Sequence, residues 1–159
     1  MADLKQLFND LIRFEIDLWN AIDARLRGEF GLPLGNFDAM QVVARTPSCR
    51  VFDIARELAI TVGGTSKVVD RIEAAGHCVR RSNPDDRRSS IIELTPAGEA
   101  VLAEATTAFE SELELRFGSV LSARSLTQLC TTMAKLRSAG TRPPVQVHGD
   151  TDTDTERTG

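Results

Sequence analysis

Only three cysteines and two histidines occur in the 159 residues. Cys49, Cys78 and Cys130 are widely spaced, and with His77 and His148 they form no CxxC pair and no zinc-finger spacing. The expectation is reduced, half-buried thiols in a reducing cytosol, with no disulfide framework and no metal. No apolar run approaches the roughly 20 residues needed to cross a bilayer. The start, MADLKQLFNDLIRFEID, carries acids early and lacks the basic opening and small-residue cleavage site of a signal peptide. A cytoplasmic location is expected, with no membrane partner. Also missing are a nucleophile elbow, a Walker loop, an HExxH and any paired His–carboxylate cluster. These absences argue against an enzyme and against a resident cofactor.

What is present is an ordinary apolar share of 42% and a charged share of 26%, enough to bury a core. The net charge of −4 hides an asymmetry. Residues 50–92 hold eight basic side chains against six acidic, a net +2, while the remainder holds eleven against seventeen, a net −6. Attraction to phosphate follows the local field and not the total, so a basic segment inside an acidic chain permits nucleic-acid binding.

The pattern along the chain is mainly α with one small β-hairpin. Leu4, Leu7, Phe8, Leu11, Ile12, Leu18, Trp19, Ile22 and Leu26 recur at three- and four-residue steps. They predict a long amphipathic helix over about 3–27, ended at Gly28 and the Gly31-Leu32-Pro33 turn. Its apolar face is larger than one short helix could cover. Asn36 is the expected cap of a second helix, which stops before Thr46-Pro47. A short helix with Ile54, Ala55 and Leu58 on one face follows; Thr61 then caps a helix over 62–75 that closes at Gly76. Two short helices joined by a tight turn form a helix-turn-helix pattern.

After Gly76 the period changes. Residues 77–81 and 90–94 read as short strands flanking Asn83-Pro84-Asp85-Asp86-Arg87-Arg88, a hairpin with turn formers at its base and arginines at its tip. Thr95-Pro96 caps and starts another helix, and Ser122 or Ser125 opens the last. From Ser138 the composition turns to Gly, Pro, Thr and Asp, which predicts a disordered acidic tail over 138–159, with His148 inside it. The organisation expected is one domain over 1–137, without internal repeats.

From Leu58 to Gly98 the sequence LAITVGGTSKVVDRIEAAGHCVRRSNPDDRRSSIIELTPAG resembles the MarR family of winged helix-turn-helix transcriptional regulators. Its most telling parts are Val69 to Gly76, Asn83 to Arg88 and Leu94 to Gly98, three segments at the right mutual spacing, and the flanking helices extend the likeness to about residues 4–137. The resemblance implies a winged helix over about 35–95, flanked by dimerisation helices over about 3–27 and 97–137. It implies a double-stranded DNA operator, a homodimer and, by the habit of the family, a repressor released by a small phenolic or other aromatic effector.

Under that resemblance, 62–75 is the recognition helix that enters the major groove. Thr61, Val62, Gly63, Gly64, Thr65, Ser66, Lys67 and Arg71 are its candidate contacts, with Gly63 and Gly64 letting backbone amides near a phosphate. Val62 departs from the polar or basic residue common at that place in relatives; it could touch a thymine methyl but not bond a guanine edge. The wing supplies Asp86, Arg87 and Arg88, a carboxylate holding a guanidinium that could enter a narrow minor groove. Of Arg80 and Arg81, which alternate on a strand, only one should face DNA, and Arg80 is the preferred phosphate contact. Leu4, Leu7, Phe8, Leu11, Leu126, Leu129 and Met133 are the candidate dimer interface. Arg13, Trp19, Phe37 and Met40 are the candidate lining of an effector crevice.

Two other readings stay open. A winged helix can bind protein partners instead of DNA, in which case the Arg87-Arg88 tip should be solvated and Lys67 and Arg71 should be paired internally. A thiol or redox sensor is the other, and His77-Cys78, standing where relatives have two apolar residues, is its best location.

Overall fold

Apolar residues at helical spacing are gathered by six helices and one hairpin in a computed structural model, which describes residue 1 and residues 3–140. The order is α1 (Leu4–Phe30), α2 (Leu34–Arg45), α3 (Val51–Leu58), α4 (Val62–Ala74), β1 (Cys78–Ser82), β2 (Ser90–Leu94), α5 (Pro96–Leu113), a π-helical segment Glu114–Gly118, and α6 (Ala123–Gly140). Two compact units result: Met1–Val120, and a second beginning at Leu121 and described as far as Gly140. The tail expected from Ser138 yields its first three residues to α6. The rest of that tail, His148 included, lies outside the described residues.

α1 outruns its expected end. Gly28 lies within the helix, and the stop comes at Gly31, whose left-handed φ of 62° lets its N–H reach Arg27 O and Leu26 O. α2 is capped differently from the expectation. Asn36 is buried inside the helix, and the N-terminal amide of Leu34 donates to Asp23 Oδ1 of α1 at 2.8 Å. A cap from another helix does the work of a local one, because the unsatisfied N–H needs a carboxylate oxygen and not a sequence neighbour. Burial alone would raise the Asp23 carboxyl, but the Leu34 amide and Arg27 more than reverse it and leave it below its ordinary value.

The core of the first unit is built where α1, α2, α3, α4, α5 and β2 face one another. Leu26, Phe37, Met40, Ile54, Val69 and Ile72 are almost entirely shielded, and the Phe37 ring packs 5.0 Å from that of Phe109. Glu112, buried on α5, is held by Arg25 of α1 and by Arg116. The hairpin is antiparallel, with Cys78 opposite Leu94 and Ser82 opposite Ser90, and Ile92 N–H also donates to Cys49 O at 2.7 Å. Its return to α5 is tight. Gly76 takes φ 79°, Thr95 Oγ1 donates to Gly76 O, and a Cβ on Gly98 would stand 1.9 Å from His77 O, so only glycine fits there.

In the second unit α6 buries none of its residues. Leu129, Met133 and Leu136 are exposed along one side of it, and Leu126 is half-buried. Among the described residues no helix is long and apolar enough to cross a membrane.

Candidate nucleic-acid interface

α4 starts from the Thr61 cap. Thr61 Oγ1 accepts from Gly64 N–H at 3.1 Å, so one amide of the first turn is satisfied while Val62, Gly63 and Gly64 stay exposed. Along the helix Val69 and Ile72 point into the core and take Thr65 with them. Thr65 is fully buried, and its hydroxyl donates to Thr61 O at 2.8 Å. This corrects its expected role: a side chain spent on the helix's own backbone and shielded from water cannot meet a base or phosphate. The solvent side consists of two adjacent i, i+4 rows, Gly63-Lys67-Arg71 and Val62-Ser66-Asp70.

The hairpin carries the second exposed set. Asn83 is buried at the base of the loop, taking the Asp85 N–H at 3.0 Å on Oδ1 and donating from Nδ2 to Ser89 Oγ at 2.9 Å. Asp86 Oδ1 accepts from the Arg88 backbone N–H at 3.0 Å, and Ser89 N–H donates to Asp86 O. The expected grip of Asp86 on an arginine guanidinium is therefore not what forms. Asp86 braces the loop backbone, and both Arg87 and Arg88 extend from a fixed tip into solvent. Asn83 was visible in the sequence only as a turn former; its bridge across the loop needed coordinates.

Charge pairing sorts the cations of this unit. Arg45 meets Glu57, Arg50 and Arg56 share Asp53, and Arg81 meets Glu93 at 2.6 Å. Arg80, the preferred phosphate contact, is instead clasped by Glu73 and by Asp70 at 2.6 Å, tying the wing base to the end of α4. Its backbone N–H also donates to Glu73 Oε1 at 3.1 Å. Neither Arg80 nor Arg81 is left unpaired, so the expectation that one of them is available for phosphate is not met by this arrangement. Lys67, Arg71, Arg87 and Arg88 are exposed and have no carboxylate partner among the described residues.

The effector residues are not brought together. Phe37 and Met40 are fully buried in the core and have no surface to offer, whereas Arg13 and Trp19 lie exposed on α1. The apolar spacing of Phe37 and Met40 reflected packing. An open groove of about 720 Å³ lies elsewhere, between the end of α2, β2 and α5, lined by Val43, Ile91, Leu94, Glu99, Leu102 and Thr106. Thiols also sort by environment. Cys49 and Cys78 are buried outright, not half-buried, and burial pushes both up to about 11, helped by Asp53 and Glu73 respectively. Each sulfur donates weakly to a backbone carbonyl, Arg50 O or Val69 O. Neither is an activated thiolate. Cys130 on α6 is exposed. Among the described residues no cluster of His, Cys, Asp or Glu could hold a metal ion.

Comparison with known proteins agrees with the fold. A family model for the MarR family matches residues 30–89. An HTH-type transcriptional regulator of Bacillus cereus is 29% identical over 129 residues, covering 79% of this chain and 83% of its own. Sco3205 of Streptomyces coelicolor, a MarR family regulator solved in complex with DNA, superposes with a TM-score of 0.80 at 22% identity over 88% of each chain. BpsR of Bordetella bronchiseptica, whose DNA binding is regulated by 6-hydroxynicotinic acid, superposes with a TM-score of 0.73 at 22% identity, covering 83% of this chain and 98% of that one.

Proposed function

The chain belongs to the MarR family of DNA-binding transcriptional regulators, which are not enzymes, and from that premise we propose that it is a repressor binding a pseudo-palindromic operator as a homodimer. One observation carries the DNA reading. The arginines Arg45, Arg50, Arg56, Arg80 and Arg81 of the winged helix are paired with carboxylates, while Lys67, Arg71, Arg87 and Arg88 on α4 and the wing have none among the described residues. A fold that pairs most of its local charge and spares four cations leaves those four to phosphate, where they release counterions. The alternative of a protein-binding winged helix required a solvated Arg87-Arg88 tip, which is present, and internal pairing of Lys67 and Arg71, which is not found among the described residues.

In this reading α4 lies in the major groove, with Lys67 and Arg71 towards bases and phosphates, and Arg87 and Arg88 reach the neighbouring minor groove. Gly63 and Gly64 allow backbone approach at the amino end. Arg80 acts by fixing the wing on α4. A second copy is proposed to cover the exposed Leu4, Leu7, Phe8 and Leu11 of α1 and, separately, Leu129 and Met133 of α6, and a two-fold pair would read half-sites one helical turn, about 34–36 Å, apart. A small aromatic effector is proposed for the groove between α2, β2 and α5, where a wedge would displace the wing base from α5.

Fluorescence anisotropy on upstream duplexes at several salt concentrations tests the DNA reading. The log of affinity should fall steeply with the log of salt. Arg88→Ala should weaken binding about tenfold and lower that salt slope by about one, while the dimer persists. An unchanged affinity would remove the wing from the mechanism. Equal affinity for upstream and random duplexes at every salt concentration would sink the specific-regulator reading.

A further inference from the structure

Two large apolar side chains stand in water beside Arg88, one of the unpaired cations. Phe52, near the start of α3, is 57% exposed, and Val62, the first residue of α4, is 53% exposed. Their neighbours Val51, Leu58 and Val68 pack against the core; these two do not. Both line a cleft of about 330 Å³ together with Arg50, Ser66, Arg80 and Arg88. The cleft therefore joins apolar surface to one unpaired cation, Arg88, while Arg50 and Arg80 beside it are held by Asp53 and by Asp70 and Glu73. The Arg56 guanidinium sits 5.9 Å from the Phe52 ring centroid, which holds a cation beside the aromatic face as well.

We propose that Phe52 and Val62 form a reader of thymine 5-methyl groups at the leading end of the recognition helix, so that each operator half-site requires a T·A pair there. This rests on the DNA-binding reading and adds what one part of the site prefers. The unpaired Lys67, Arg71, Arg87 and Arg88 on α4 and the wing favour a polyanion, and within the major groove only thymine presents an apolar group, its C5 methyl. Neither side chain can bond the O6 or N7 of guanine, the N4 amine of cytosine or the edge of adenine. Facing those groups would strip water from polar atoms without replacing its hydrogen bonds. Facing a methyl removes apolar surface from water on both partners. The helix end matters too: Val62 precedes Lys67 by more than one turn, so a methyl contact at Val62 and a polar contact at Lys67 fall on separate base pairs.

The experiment begins with selection of bound sequences from a random duplex pool by the full chain. In the enriched duplex each thymine is then replaced in turn by deoxyuracil, which deletes one methyl and leaves every hydrogen bond intact. The expected result is one or two positions per half-site where the wild-type protein loses about fourfold in affinity, the worth of one buried methyl. At those positions Val62→Ala or Phe52→Ala should bind thymine and uracil duplexes alike. Both side chains are exposed, so the variants should unfold at the wild-type temperature. Enrichment of a sequence in which every uracil replacement is neutral would overturn this inference and leave the operator reading standing. A uracil penalty that persists in both variants would also overturn it, by placing the methyl contact elsewhere. Failure to enrich any sequence would overturn both together.

Discussion

The two halves of α1 carry the same apolar periodicity and end in opposite surroundings. Ile22 and Leu26 are buried against the winged helix, with Asp23 between them capping α2. Leu4, Leu7, Phe8 and Leu11 repeat the same three- and four-residue steps and stand in water, Leu4 at 74% exposure. A helical stripe states that a face is to be covered; it does not state by what. The covered half stabilises the protomer. The uncovered half is available to a second chain.

The sharpest break of that contrast is a matched pair of substitutions. Leu26→Ala should cost roughly 2–5 kcal/mol in urea unfolding, because it removes packed atoms and leaves a void. A loss below 1 kcal/mol would mean that the buried half of α1 is not part of the core it faces. Phe8→Glu should leave the fold of the protomer intact and raise the dimer dissociation constant about 100-fold, close to 3 kcal/mol. Light scattering at micromolar concentration reads this, and a dimer of undiminished stability would show that the exposed half of α1 has another use.

A smaller effect tests the seam between α1 and α2. Asp23→Ala removes the acceptor of the Leu34 amide and should cost about 1 kcal/mol at neutral pH. The Asp23 carboxyl lies below its ordinary value when folded, so its stabilisation is present above about pH 4 and is lost as pH falls through the folded value. The variant should therefore lose less stability than the wild type on acidification. Equal acid sensitivity of the two proteins would remove Asp23 from that account.

The smallest effect concerns the thiols. Below the ordinary thiol value of about 8.5, folded and unfolded chains both keep their protons on Cys49 and Cys78. Between there and about 11 the unfolded chain releases protons that the folded chain holds, so stability declines as pH rises. At pH 8 an aromatic disulfide reagent should modify Cys130 quickly and reach the other two only on unfolding. Fast modification of a second thiol would reopen the redox-sensor reading.

Much of this architecture was readable residue by residue. Thr61 as a cap, Gly76 as a left-handed stop, the β2 strand and the Thr95-Pro96 start depend on local φ, ψ and hydrogen-bond chemistry, and all four stand where that chemistry put them. The overrun of α1 past Gly28 was less readable, since a single glycine costs a helix only about 1 kcal/mol and the packed face around Leu26 outweighs it. The cap on α2 was not readable at all, because Asp23 is eleven residues from Leu34 in sequence. In the candidate interface the segments were legible and their orientations were not. Thr65 looked like its neighbour Ser66, Arg80 looked like Arg81, and Asp86 looked like a partner for a guanidinium.

By itself the sequence determined which segments form helices and hairpin, and that a basic stretch lies within an acidic chain, because periodicity, caps and turns act over a few residues. Tertiary structure alone decided which cations remain available and which apolar residues remain exposed. Arg80 is neutralised because the wing base returns beside Asp70 and Glu73, while the Arg88 guanidinium meets no carboxylate among the described residues, Asp86 being turned to the loop backbone. Phe37 and Phe52 are the same residue type fifteen positions apart, one fully buried and one in water. Pairing and burial depend on distances through space, and those distances exist only once the chain has folded.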